Sequence, residues 1–330
     1  MIAILIILFN AISIFFIIYF SNRFNVLIDN PLKKSHSIHK KSIPRSLGIN
    51  FITFLIISHF FHEDYLFEIS TISIIIASIG FIDDLGFKFK AYKRLIFQFL
   101  IIFLIIFLNT EYILNIDLFS FIQNQYLLIL ITSLFLTALI NAFNFIDGLN
   151  GLCLQVSAII FISALILNFE ITVFYLLLVI LTMNFFNFPF PRVFLGDFGA
   201  YFIASFIGLF FIYNYNFNSA YLSKSEWFIA NLLAYPIFDT TINILKRINK
   251  RMSPFEADNI HLHSLTYNYF KNNSFSSVFL VIIYTLLILP IVFLDFSQYE
   301  LIIYFIFQFI IYILLHLLFG TILRNDSKTL

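Results

Sequence analysis

Nothing constrains this chain more than its long stretches without charge, which recur from one end to the other. A helix needs about 20 apolar residues to cross a bilayer, and eleven runs approach that length. They lie at roughly 2–20, 48–62, 67–83, 95–110, 125–142, 152–168, 171–187, 198–214, 226–245, 277–294 and 300–322. Their apolar residues are contiguous rather than alternating with polar ones, which argues for helices over a barrel. Residues of the set AVILMFWYC make up 61% of the 330 positions and charged residues 11%, against about 45–50% and about 25% in soluble domains. The expected fold class is therefore all-α: a polytopic integral membrane protein of about 10–11 transmembrane helices, organised as one domain over 1–330. Met1–Phe20 carries no basic residue ahead of its apolar run and reads as a retained first span. The one cysteine, Cys153, excludes an internal disulfide, a cysteine zinc cluster and a CxxC redox pair. The 48 phenylalanines fit a base-composition bias and carry no functional weight here.

Basic residues orient the spans. With the N-terminus outside, 18 of the 19 Lys and Arg residues fall on inner segments and Lys224 alone falls outside, the distribution of the positive-inside rule. Five inner segments result, 21–47, 83–94, 141–151, 187–197 and 246–276, and they are expected to form one site on the cytoplasmic face. The same orientation brings Asp83, Asp84, Asp147, Asp197 and Asp239 to that face, in or beside apolar spans. Carboxylates at the edge of hydrocarbon are costly and mark function.

Four of these segments carry chemistry in their residue types. Asp83-Asp84 ends the third run, with Lys88, Lys90, Lys93 and Arg94 just beyond. Adjacent carboxylates repel and need a cation or a shared proton, although a solvated helix end with snorkelling lysines has the same composition. In Asn141-Ala142-Phe143-Asn144-Phe145-Ile146-Asp147-Gly148-Leu149-Asn150-Gly151, steps of three put two amides and a carboxylate on one helical face. Such hard oxygens suit Mg²⁺ that keeps waters and substrate phosphates. Asp197, in Leu195-Gly196-Asp197-Phe198-Gly199, opens the eighth run, where it could equally be a plain N-cap. The segment from Asp239 through Lys246-Arg247 to His261-Leu262-His263 combines cations, acids and imidazoles suited to a diphosphate or a sugar. The histidines at i and i+2 do not share a helical face, so no helical HExxH-type zinc site is indicated. The fifth segment carries His39-Lys40-Lys41-Ser42-Ile43-Pro44-Arg45, whose cations could also meet lipid headgroups.

In their order, these five segments resemble the polyprenyl-phosphate N-acetylhexosamine-1-phosphate transferase family over about residues 29–264. The family includes the phospho-MurNAc-pentapeptide translocase, the bacterial undecaprenyl-phosphate GlcNAc-1-phosphate transferase, which is the nearer branch here, and the eukaryotic dolichol-phosphate enzyme. The resemblance implies transfer of a sugar 1-phosphate from a UDP-N-acetylhexosamine donor to an undecaprenyl phosphate acceptor, with release of UMP. It also implies Mg²⁺ (or Mn²⁺ in its place), a site on the cytoplasmic face of the bacterial inner membrane, and a role in starting cell-wall, lipopolysaccharide or O-antigen polymers. By the same resemblance Asp83, Asp84, Asp147 and Lys93 are the catalytic candidates, with Arg94 the alternative to Lys93. Asn144 and Asp197 match the metal ligands, and His39, Arg45, Asn150, Arg247, His261 and His263 are the substrate-binding candidates. Membrane lipids and a second copy of the chain are the expected partners, and nucleic acid is not. The chain departs from the family pattern at Leu47, Asn150, Asn259 and Ser264, positions that bear on sugar choice more than on chemistry. The competing readings are an ion-coupled transporter and a catalytically impaired homologue. A CDP-alcohol phosphatidyltransferase is disfavoured, because only Asp147-Gly148 of its motif is present.

Overall fold

A computed structural model describes residues 2–29, 42–60, 64–87, 90–168, 170–217, 226–253 and 260–326. His39 and Asn259, and with them Lys88, Lys224, Glu256 and Asp258, lie outside the described residues. Helices make up most of the described residues: α1 Ile2–Phe24, α2 Phe51–Phe60, α3 Asp64–Asp84, α4 Ala91–Leu108, α5 Gln125–Ile146, α6 Leu152–Leu167 and α7 Ile171–Asn187. They continue with α8 Gly196–Phe217, α9 Glu226–Leu232, α10 Ala234–Asn249, α11 Leu262–Phe270, α12 Asn273–Phe293 and α13 Gln298–Asp326. A two-residue ribbon, β1 Ile28–Asp29 against β2 Ile43–Pro44, pairs Ile28 with Pro44. Each of the eleven apolar runs coincides with a helix or a helix pair. Among the described residues, seven helices are long and apolar enough to cross a membrane, or eight if the bent pair α9–α10 counts as one span, and three shorter apolar helices accompany them.

The run 226–245 reads as a single span in the sequence but is bent by 71° between α9 and α10. Pro236 is the cause: it has no N–H for the carbonyl of Leu232, and its ring would collide with that carbonyl in a straight helix. The freed oxygen is met from another helix, by the Tyr284 hydroxyl at 2.6 Å. Within hydrocarbon a backbone break needs such a substitute partner. Segment 246–276 is likewise not one loop: α10 runs to Asn249, and α11 and the start of α12 lie within it.

α8 is the axis of the bundle, with 94% of its apolar window buried, against 17% for α1 and α4 and 22% for α13. The outer helices therefore turn large apolar side chains outward, as a lipid-facing surface requires. Glycines allow the close approach to α8. A Cβ on Gly80 of α3 would lie 2.6 Å from the carbonyl carbon of Asp197, and one on Gly48 would lie 2.3 Å from the Gly199 nitrogen. Small residues at helix contacts of this kind let backbones pack directly. Residues 44–48 are laced to the start of α8: Phe194 N–H donates to Pro44 O (2.7 Å), Leu47 N–H to Phe194 O (3.1 Å) and Gly48 N–H to Leu195 O (2.9 Å).

Candidate active site

The start of α8 gathers the acids of distant segments. Gly196 takes φ +77°, a left-handed turn that glycine adopts without strain. A Cβ there would sit 2.7 Å from both Arg45 O and Asp84 Oδ2. The carboxylate of Asp84, from the end of α3, accepts the N–H groups of Asp197 (3.1 Å) and Phe198 (3.0 Å). It thus caps α8 from another helix, satisfying two donors that a helix start leaves open. Asp197 points away from that cap. Its Oδ1 lies 2.9 Å from Arg45 Nη2 and its Oδ2 lies 3.5 Å from Arg94 Nη1, while Arg94 also holds Asp83 Oδ2 at 2.9 Å.

Asp147 follows the last residue of α5. Burial pushes its carboxyl well above the usual carboxylate range, and the nearby Asp197 and Asp84 push in the same direction against the pull of Arg45. Arg45 itself is held above its ordinary value although burial opposes this, because Asp197, Asp84, Asp29 and Asp147 surround it. Four carboxyl groups, those of Asp83, Asp84, Asp147 and Asp197, thus outnumber the two guanidinium groups near them. Asn144 lies one helical turn before Asp147 and its side chain engages no described partner. By residue type, Asp197, Asp147 and Asn144 carry the hard oxygens that Mg²⁺ takes. Asp84 does not join that set, because both its oxygens are engaged by α8.

Across the turn after α5 stands a second, basic cluster. Asp239 of α10 is fully buried and lies 2.6 Å from His261 Nδ1. Its Oδ1 accepts the Leu262 N–H (2.8 Å) and the Tyr312 hydroxyl (2.9 Å). Arg247, 2% exposed, donates to His261 Nε2 at 3.1 Å. An arginine can only donate, so Nε2 accepts and Nδ1 carries the proton given to Asp239. Asp239, His261 and His263 are close enough to hold a metal ion, yet this carboxylate is already supplied with three proton donors.

The turn joins the two clusters. The Phe145 ring lies 5.3 Å from His261 and 5.8 Å from the Arg247 guanidinium. A Cβ on Gly148 would stand 2.2 Å from His263 Nε2, so only glycine lets the backbone pass this imidazole. Asn150 belongs to the wall: its N–H donates to Asn273 Oδ1 (2.8 Å) and its amide reaches Pro189 O (3.4 Å).

The structure thus brings together Arg45, Asp83, Asp84, Asn144, Asp147, Asp197, Arg247, His261 and His263. Lys93 is exposed, and its neighbour Arg94 occupies the carboxylate cluster instead. Asn243, whose amide lies 2.9 Å from His261 Nδ1, and Tyr312 are additions. Asn243 has a sequence signal, since 239, 243 and 247 share one helical face. Tyr312 has none, because its partner is 73 positions away.

Residues 66–215 match the model of the family described as glycosyl transferase family 4. The chain is also similar to a Bacillus subtilis (strain 168) protein described as a probable undecaprenyl-phosphate N-acetylglucosaminyl 1-phosphate transferase. The two are 26% identical over 256 residues, covering 72% of this chain and 68% of that protein. Together with the motif segments gathered at one site, these matches support the resemblance of this multi-pass membrane protein to glycosyl transferase family 4.

Proposed function

We propose that the protein transfers an N-acetylhexosamine 1-phosphate from a UDP-sugar to undecaprenyl phosphate, releasing UMP, at the cytoplasmic face of a bacterial inner membrane. The product would start an envelope polysaccharide. The observation that carries this reading is the junction of an acidic and a basic cluster at Phe145–Gly148. One side suits a cation with its phosphates and the other a nucleotide diphosphate. The 16 basic residues on the segments that hold the site support this orientation, and the name of the Bacillus relative supports the acceptor.

Phosphoryl transfer needs positioning and charge neutralisation more than covalent help. Asn144, Asp147 and Asp197 would hold Mg²⁺, which neutralises charge developing on the transferred phosphate. Asp83, on the rim of the carboxylate cluster and anchored by Arg94, is placed to accept a proton from, or orient, the acceptor phosphate. Arg45 and Arg94 hold Asp197 in one orientation. Arg247 and the two stacked imidazoles of His261 and His263 offer donors to the diphosphate. The lipid oxygen attacks the sugar-linked phosphorus and the bond to the UMP oxygen breaks.

Purified protein with Mg²⁺, undecaprenyl phosphate and a panel of UDP-N-acetylhexosamines should release UMP with one of them. Asp197→Asn should lower that rate at least about 10²-fold, the scale of lost electrostatic stabilisation. EDTA should abolish release by the wild type. No release with any sugar, together with ion flux in proteoliposomes, would favour the transporter.

A further inference from the structure

The opposite ends of α3 and α8 hold a second group of oxygens. Glu68 lies in the second turn of α3, 16 positions from Asp84, or about 24 Å at the helical rise. Glu111 lies in the short 3-10 turn Thr110–Tyr112 after α4. The two carboxyl groups approach closely enough to repel each other when both are charged. That contact requires a proton or a cation between them.

Two further oxygens here lack partners. Tyr112 is fully buried and its hydroxyl makes no hydrogen bond, and Asn216 Oδ1 is also buried and unpaired. The Asn216 amide is fixed against the same turn, donating to Glu111 O (3.0 Å) and Ile113 O (2.8 Å). Tyr112 packs against Tyr213 of α8 at 6.0 Å, and its hydroxyl lies in the field of both carboxylates. Buried polar atoms without partners are rare and call for an explanation.

We infer that Glu68, Glu111, Asn216 Oδ1 and the Tyr112 hydroxyl form a binding site for a hard divalent cation of the Ca²⁺ class, at the end of the bundle remote from the transferase site. Two carboxylates, an amide oxygen and a neutral hydroxyl are ligands of the type such ions take, with water completing the shell. Such an ion takes carboxylates in their ionised form, so affinity rises with pH. The ion would pin the Thr110–Tyr112 turn to α3 and α8, the helices whose other ends carry Asp83, Asp84 and Asp197.

Tyrosine-sensitised Tb³⁺ luminescence reads this site directly in the full-length purified protein, because Tyr112 and Tyr213 stand beside it. Wild type should give saturable emission that Ca²⁺ displaces, and Ca²⁺ should raise the thermal midpoint by roughly a few degrees. Glu111→Gln should weaken the Ca²⁺ effect at least about tenfold in concentration while UMP release in Mg²⁺ stays within about twofold. Glu68→Gln should do the same, and Tyr112→Phe should dim the emission; these two decide the matter if Glu111→Gln does not fold. Asp197→Asn, which alters only the remote cluster, should leave the signal intact. Equal Ca²⁺ effects in wild type and both Gln variants, or loss of emission in Asp197→Asn alone, would overturn the assignment and leave a shared proton between the carboxyls. None of these readouts depends on which sugar is transferred.

Discussion

Asp239 shows how much a single buried carboxylate can organise. It touches no exposed surface, and its three donors come from α11, from the residue before it and from α13. Through His261 it fixes the atom that receives Arg247. Loss of this charge should therefore reach the donor site two groups away. Asp239→Asn keeps the shape but turns an amide N–H toward at least one existing donor, and breaking a buried charged network costs on the order of 3–5 kcal/mol. Tyr312→Phe removes one hydroxyl donor and about 1 kcal/mol. Initial rates of UMP release at varied UDP-sugar should show a several-fold rise in donor KM for Tyr312→Phe and a larger one for Asp239→Asn, with acceptor KM unchanged. Unaltered donor KM in both variants would reduce the network to scaffolding. From sequence the site was legible residue by residue where motif and spacing coincide, as at Asn144, Asp147, Asp197 and His261. It was not legible where two neighbours of like charge compete: the turn of α4 puts Arg94 inward and Lys93 outward, a difference of about 100° of helical rotation.

Among the elements, the α3–α8 pair determines whether the acidic cluster exists at all. Asp83 and Asp84 reach Asp197 because Gly80 has no side chain at a point where a Cβ would stand 2.6 Å from backbone. That obstacle is main chain and cannot rotate aside. Gly80→Ala must push α3 from the start of α8, and overpacking of this kind costs typically about 1–3 kcal/mol. The displaced α3 would also weaken the hydrogen bonds that the Asp197 and Phe198 N–H groups donate to Asp84. A lower thermal midpoint together with at least about tenfold slower UMP release is the expected result. Ser78→Ala, an exposed change on the same helix, should alter neither. If Gly80→Ala matched it, the close contact would carry no function. The helices themselves were legible, since every apolar run became a helix or a helix pair. The bend at Pro236 carried a readable signal in the proline, but Tyr284 as the donor to the freed Leu232 carbonyl did not. α11 was hidden within a polar segment because it is short and bordered by charge, where periodicity is weakest.

For the molecule as a whole, orientation in the membrane decides which pool of substrate the site meets. The acidic and basic clusters share one end of the bundle, since the last turns of α3, α5 and α10 and the first turns of α8 and α11 all supply residues to them. Lys246, Arg247, Lys250 and Arg251 lie on that end as well, whereas the turns between α4 and α5 carry no basic residue between Leu108 and Gln125. A membrane potential and anionic lipid favour the basic end inside. The single cysteine makes this testable, because Cys153 is completely buried and should not react with a membrane-impermeant maleimide. Lys250→Cys and Gln123→Cys both introduce thiols at exposed positions outside the two clusters. In intact cells the reagent should label position 123 and spare 250; in inverted vesicles it should do the reverse. The opposite pattern would put the clusters outside, where UDP-sugars are not supplied, and the transferase reading would fail on topology even with its residues in place.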